Sequence, residues 1–184
     1  MVRSIIMDEI KQTLFSTAIL QVFDVLAQSR EEISDQHLGS RIPGTKRSAV
    51  NVALNTLSEL DLNQRVLQKK QAFNKANTKI VWIKYFKILS NLLDVHELVS
   101  LLQDNATKVI LFGSRADGSN TLESDYDLLV VSGKEKKVRT LLKEHQLYEK
   151  LQLIFMSELQ MLELDKKNPA LYAAVKKGIV LWET

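Results

Sequence analysis

No stretch narrows the choice of fold as much as residues 109–131, VILFGSRADGSNTLESDYDLLVV. Two β-rich apolar runs, KVILF at 108–112 and DLLVVS at 127–132, flank it and read as buried strands. The first run stops at Gly113-Ser114; the second opens on Asp125, Tyr126 and Asp127. Side chains alternate along extended backbone, so Asp125 and Asp127 share one face and Tyr126 takes the other. Burying such a strand therefore brings two carboxylates to its mouth, near the glycine turn.

The segments that follow extend the pattern. KEKKVRTLLKEHQ (134–146) is an amphipathic helix with Val138, Leu141 and Leu142 facing inward. LQLIFM (151–156) is a strand, SELQMLELDKK (157–167) and 169–177 are helical, and GIVLWE (178–183) is a last strand. Strands alternating with helices predict an α/β (α+β) domain with a mixed sheet. Two like charges held together need a cation between them. Oxygen-only ligands suit Mg²⁺, or Mn²⁺, with the remaining ligands drawn from water and substrate phosphates. Gly113, lacking a Cβ, permits a close approach by a phosphate; Ser114 donates hydrogen bonds and Arg115 adds positive charge. Such a site suits phosphoryl or nucleotidyl transfer by positioning and charge stabilisation.

Phe112, Gly113, Ser114, ten intervening residues, then Asp125, Tyr126, Asp127 and Leu128 form a composite pattern. It resembles that of the DNA polymerase beta-like nucleotidyltransferase superfamily, in particular its minimal nucleotidyltransferases. The likeness extends to Ala116, Gly118 and Ser124 and covers roughly residues 95–184. The resemblance implies that Asp125 and Asp127 are catalytic and hold the metal. It implies that Gly113, Ser114, Arg115 and Ser124 meet the nucleotide, an NTP such as ATP. An NMP unit would pass to an acceptor, a partner protein among the candidates, with release of pyrophosphate. One departure stands out. The family draws a third carboxylate from the next strand, and Gln152 occupies that place here. Glu149, three residues earlier, would face the opposite side of a regular strand.

The N-terminal half reads differently. Residues 8–29 are helical by pattern; Ser34 caps a short helix; Pro43-Gly44 marks a turn; and Thr45 caps a helix running to about Leu60. In that helix Val50, Leu54 and Leu57 form a core stripe, and Arg47, Asn51 and Asn55 form a polar one. Strands are predicted at 64–70 and 78–86, joined by the polar connector QAFNKAN. This layout resembles a winged helix-turn-helix domain. Residues 45–84 hold eight Lys/Arg against two Asp/Glu, which supports double-stranded DNA as partner. Lys46, Arg47, Asn51, Asn55, Lys69 and Lys70 are the candidate DNA contacts.

Composition sets the outer limits. The 184-residue chain has no cysteine, which excludes disulfides, thiolate catalysis and Cys-type zinc sites. His37, His96 and His145 are far apart, without ligand-type spacing. No apolar run reaches membrane-spanning length, and Asp8, Glu9 and Lys11 break any signal-peptide core, so a cytoplasmic protein is expected. The expected division is 1–86 for the winged helix-turn-helix, 87–104 for a connecting helix and 105–184 for the nucleotidyltransferase-like domain. A homodimer is also expected. The competing reading is a DNA-binding regulator whose nucleotidyltransferase fold is degenerate, serving nucleotide sensing or partner binding.

Overall fold

The computed structural model describes residues 17–69 and 71–184. The chain divides into two units, the second beginning at Asn91. No helix among the described residues is long and apolar enough to cross a membrane.

The first unit holds helix α1 (Ala18–Gln28), strand β1 (Ile33–Ser34), helix α2 (Asp35–Ser40) and helix α3 (Arg47–Glu59). Strands β2 (Asn63–Gln68) and β3 (Gln71–Ala76) follow as a hairpin. The sheet is antiparallel, in the order β1-β3-β2. Its core joins Val22, Phe23 and Leu26 of α1 to Leu38 of α2 and to Val50, Ala53, Leu54 and Leu57 of α3. The predicted core stripe of α3 is thus buried, while Arg47, Asn51 and Asn55 lie exposed. Ser34 caps α2 by accepting from the His37 amide at 3.3 Å. Of the helix read at 8–29, residues 8–16 lie outside the described residues.

Three local expectations change. Thr45 does not cap α3; Lys46 occupies that position without a side-chain bond, and the Thr45 hydroxyl donates instead to Gln21 Oε1 at 2.9 Å. The second hairpin strand is the polar segment 71–76, not 78–86. It escapes a hydrophobicity reading because Asn74, facing inward, is wholly buried by hydrogen bonds rather than by apolar contact. Residues 78–86 instead lead into and begin helix α4 (Val81–Leu102), which runs across the boundary between the units. Val, Ile, Trp and Tyr favour strands on average. Here the inward positions recur at helical spacing: Ile80, Ile83 and Phe86 join the core, and the Phe86 ring stands 4.7 Å from Phe23.

The second unit contains the C-terminal part of α4 and then β4 (Lys108–Phe112), α5 (Gly113–Asp117), β5 (Tyr126–Val131) and α6 (Glu135–Leu142). A 3₁₀ turn (Tyr148–Lys150), β6 (Leu151–Met156), α7 (Glu158–Leu162), α8 (Leu164–Lys167), α9 (Pro169–Lys176) and β7 (Ile179–Glu183) complete it. The sheet order is β6-β5-β4-β7. β5 and β6 run parallel and the other pairs antiparallel, so the sheet is mixed, as expected. Strand alternation sends Val109, Leu111, Leu128 and Val130 to one face, against Val95, Leu98, Leu102, Val138 and Leu142. Ile110, Phe112, Leu129 and Val131 go to the other face, against Leu164 and Val175. A sheet covered on both faces explains why its central strands read as continuous apolar runs.

Candidate functional site

The antiparallel register of β4 and β5 pairs Phe112 with Asp127. It therefore sets the residue after Phe112 beside the mouth of β5. Gly113 turns the chain there with φ +70°, a conformation L side chains rarely adopt. A Cβ at Gly113 would also collide with the Asp127 carboxylate, whose Cγ would lie only 3.1 Å away. The glycine is thus needed twice, for its backbone angle and for the space that Asp127 fills. The bend and the acid meet in one place, as the spacing predicts. Ser114 follows, half-buried, and Gly118 ends the short helix α5 with φ +74°.

Asp125 is exposed and Asp127 half-buried, on either side of Tyr126, which is buried. Burial pushes the Asp127 carboxyl above its ordinary value, and the neighbouring Asp125 charge adds to the rise. Neither carboxylate has a hydrogen-bond or ion-pair partner among the described residues. This is the donor set a hard divalent cation would complete: two oxygen ligands from Asp125 and Asp127, with phosphate and water for the rest. No cluster of three acidic, His or Cys side chains able to hold a metal occurs among the described residues.

The parallel pairing of β5 with β6 sets Asp127 beside Gln152. Gln152 is exposed, so an amide stands next to the acid where the resemblance implies a third carboxylate. Glu149 is not on the strand at all; it lies exposed in the 3₁₀ turn. Lys150, at the end of that turn, donates to the Leu122 carbonyl at 3.5 Å, in the loop leading to Asp125.

Arg115 and Ser124, both expected at the nucleotide, are engaged with each other within the fold. Arg115 is only 3% exposed. Its Nε and one terminal nitrogen donate to the Ser124 carbonyl at 3.0 and 2.7 Å; the other donates to Asn91 Oδ1 at 2.8 Å. The guanidinium also stacks over the Tyr126 ring, 3.9 Å from its centroid. Its donors face inward, where they clamp the residues flanking Asp125. Ser124 is a turn residue, its hydroxyl accepting from the Thr121 amide at 2.9 Å.

Three residues absent from the sequence reading complete this arrangement. Asn91 Nδ2 donates to the Arg115 carbonyl at 2.9 Å and to Asn120 Oδ1 at 3.0 Å, and both asparagines are buried. Asp94 accepts from the Tyr126 hydroxyl at 2.7 Å. Asparagines carry no periodic signal, and only the length of 91–120 between them hints at nothing local. The one available signal was polarity on an otherwise apolar helix face at Asn91.

In the first unit, Lys46, Arg47 and Asn51 are exposed at the start of α3. Asn55 is exposed but engaged, accepting from Arg65 at 2.7 Å. Lys69 is exposed at the hairpin turn with φ +46°, and Lys70 lies outside the described residues.

No curated protein and no solved structure matches this chain. Residues 96–184 match the family model described as Polymerase beta, Nucleotidyltransferase, which supports the nucleotidyltransferase assignment of the C-terminal part and nucleotidyl transfer, in general terms, as its chemistry.

Proposed function

We propose that the second unit transfers a nucleotidyl group from an NTP, with Asp125 and Asp127 holding Mg²⁺ or Mn²⁺ and the Gly113-Ser114 bend receiving the phosphates. ATP is the first nucleotide to try. The single observation carrying this reading is the apposition of Gly113 and Asp127, where a Cβ would strike the carboxylate. When bound, the cation would neutralise charge on the phosphates and polarise the α-phosphate. The chain's own part is positional. Gly113 lets the backbone approach the phosphates closely, Ser114 offers a hydroxyl and an amide beside them, and Arg115 fixes the segment bearing Asp125.

The test is Mg²⁺-dependent release of pyrophosphate, together with transfer of nucleotide label. Asp125→Ala and Asp127→Ala are each expected to lower the rate by at least ~10³-fold, the scale of removing a principal charge-stabilising group. Equal rates in wild type and both variants would end the reading.

The first unit is proposed to be a winged helix-turn-helix that binds double-stranded DNA. Helix α3 would present Lys46, Arg47 and Asn51, and the β2–β3 hairpin would serve as the wing with Lys69 at its turn, Lys70 following it in sequence. Asn55, held by Arg65, is the weakest of the candidate contacts. Retention on DNA should fall with salt, and Arg47→Ala or Lys69→Ala should each lower the slope of log K against log salt by about one. A salt-independent affinity would rule DNA out.

A second reading is favoured by one residue. Gln152 beside Asp127 adds no charge and is a poor base, which suits a DNA-binding regulator that senses a nucleotide without turning it over. Nucleotide binding without pyrophosphate release, coupled to a change in DNA affinity, would select it.

A further inference from the structure

We propose that the acceptor at this site is an oxyanion, a phosphate monoester, rather than an alcohol. The proposal rests on the nucleotidyltransferase reading and names its second substrate.

An alcohol must shed a proton as it attacks, and at neutral pH that calls for a base beside it. In the β5–β6 register the group next to Asp127 is Gln152, whose amide takes up no proton. Glu149 sits off the strand in the 3₁₀ turn, and no third acid or histidine joins the two aspartates among the described residues. A phosphate monoester has no proton to lose. Its oxygen attacks the α-phosphorus, the bond from that phosphorus to the bridging oxygen breaks, and pyrophosphate leaves with the electron pair. A new phosphoanhydride forms, nothing is oxidised or reduced, and no proton changes hands.

The same residues suit an anion on electrostatic grounds. A third carboxylate at position 152 would repel an incoming oxyanion, whereas the Gln152 amide donates hydrogen bonds to it. Lys150 is two residues before Gln152, with Leu151 between them paired to Tyr126. Lys150 is exposed, and among the described residues its ammonium bonds only the Leu122 carbonyl at 3.5 Å, a weak hold, beside the loop entering Asp125. A formal positive charge and an amide donor thus flank the paired acids on the β6 side. The NTP bend at Gly113 lies on the β4 side. The two substrates would approach from opposite neighbours of β5.

Binding is measured first, by calorimetry with Mn²⁺ and a non-hydrolysable ATP analogue, on wild type and Asp125→Asn. Binding in wild type that is lost in Asp125→Asn keeps the nucleotidyltransferase reading. No binding in wild type overturns that reading and the acceptor proposal with it. Given binding, radiolabelled inorganic phosphate is offered with ATP; label in the β-position of ADP, with matching pyrophosphate, reports transfer to an oxyanion. O-phosphoserine and serine are then compared as acceptors on one scaffold. The expected result is a preference for O-phosphoserine of ~100-fold or more in kcat/KM. Lys150→Ala should raise KM for phosphate by about tenfold with kcat nearly unchanged, and its melting temperature should match wild type because Lys150 is exposed. Gln152→Asp should weaken transfer to phosphate and strengthen transfer to serine. Serine accepted as well as O-phosphoserine, or neither accepted by a protein that binds Mn²⁺ and nucleotide, overturns the proposal.

Discussion

Each unit contains a hydrogen-bond network that runs through a buried asparagine, Asn74 in the first and Asn91 in the second, and the two networks differ in where they leave the charge. In the first unit Asn74 donates to Asp35 Oδ1 at 2.6 Å and to the Ile33 carbonyl at 3.3 Å, and accepts from Asn63 at 2.9 Å. The cation of that network, Arg65, stays near the surface, bonded to Asp35 at 2.5 Å with side chains 28% and 21% exposed. In the second unit Asn91 plays the same joining part, but its cation, Arg115, is withdrawn from water onto the Tyr126 ring. A surface cation is solvated whether or not its partner remains. A buried one must have every donor met, and whatever it meets is fixed in turn. Here what it fixes is the backbone of Ser124, the residue before Asp125. The difference teaches where precision is needed: the network with the buried charge is the one beside the paired acids.

The comparison breaks most easily at Arg115. Arg115→Met strips the Ser124 carbonyl of both guanidinium donors and leaves Asn91 Oδ1 only the longer bond from Asn120 Nδ2 at 3.4 Å, and should cost ~2–4 kcal/mol in denaturant unfolding, the scale of breaking a largely buried charged network. Arg115→Lys should recover little, because a single ammonium cannot reproduce the fork that grips one carbonyl twice. A loss within experimental error would show that the buried cation organises nothing. In the first unit Asn74→Leu should cost ~1–3 kcal/mol by removing its buried bonds to Asp35, the Ile33 carbonyl and Asn63, while leaving Mn²⁺ and nucleotide binding intact. Arg65→Ala should cost under ~1 kcal/mol, the worth of a partly exposed ion pair. If Arg65→Ala matched Arg115→Met, the distinction between surface and buried charge would have no energetic content here.

The same contrast explains what the sequence could and could not disclose. The meeting of Gly113 with Asp127 was legible because it follows from local rules: two apolar strands, side-chain alternation, and a glycine at the end of one. The neighbour of Asp127 on β6 was legible for the same reason, since a short parallel register leaves few choices. The expectation that Arg115 meets a phosphate follows from charge beside a glycine bend, which usually faces solvent. Its bonds to Asn91 and to the Ser124 carbonyl are not legible, because helix α4 and a turn that no pattern encodes bring those groups to it. The polar strand 71–76 was missed likewise, because Asn74 is accommodated by Asp35 and Asn63 from elsewhere in the chain. Residues 78–86 were misassigned for the converse reason: β-branched and aromatic residues pack as well at helical spacing when a core such as Phe23 and its neighbours receives them.

The smallest effect distinguishes the carboxylates themselves. Asp35 of the first unit is met by Arg65 and Asn74, whereas Asp127 meets no described partner and lies beside Asp125. Burial and that neighbour raise the Asp127 carboxyl above its ordinary value of 3.8, so the folded state disfavours the charged form. The penalty is absent below pH 3.8, grows as pH rises through the folded-state value, and is complete above it. Asp127→Asn should therefore melt slightly higher than wild type at neutral pH, with the advantage fading as pH falls toward 3.8. Added Mg²⁺ should reverse the order, because only wild type gains stability by binding it through both acids. A variant that melts lower than wild type without metal would mean that Asp127 is held by the fold rather than kept for a cation.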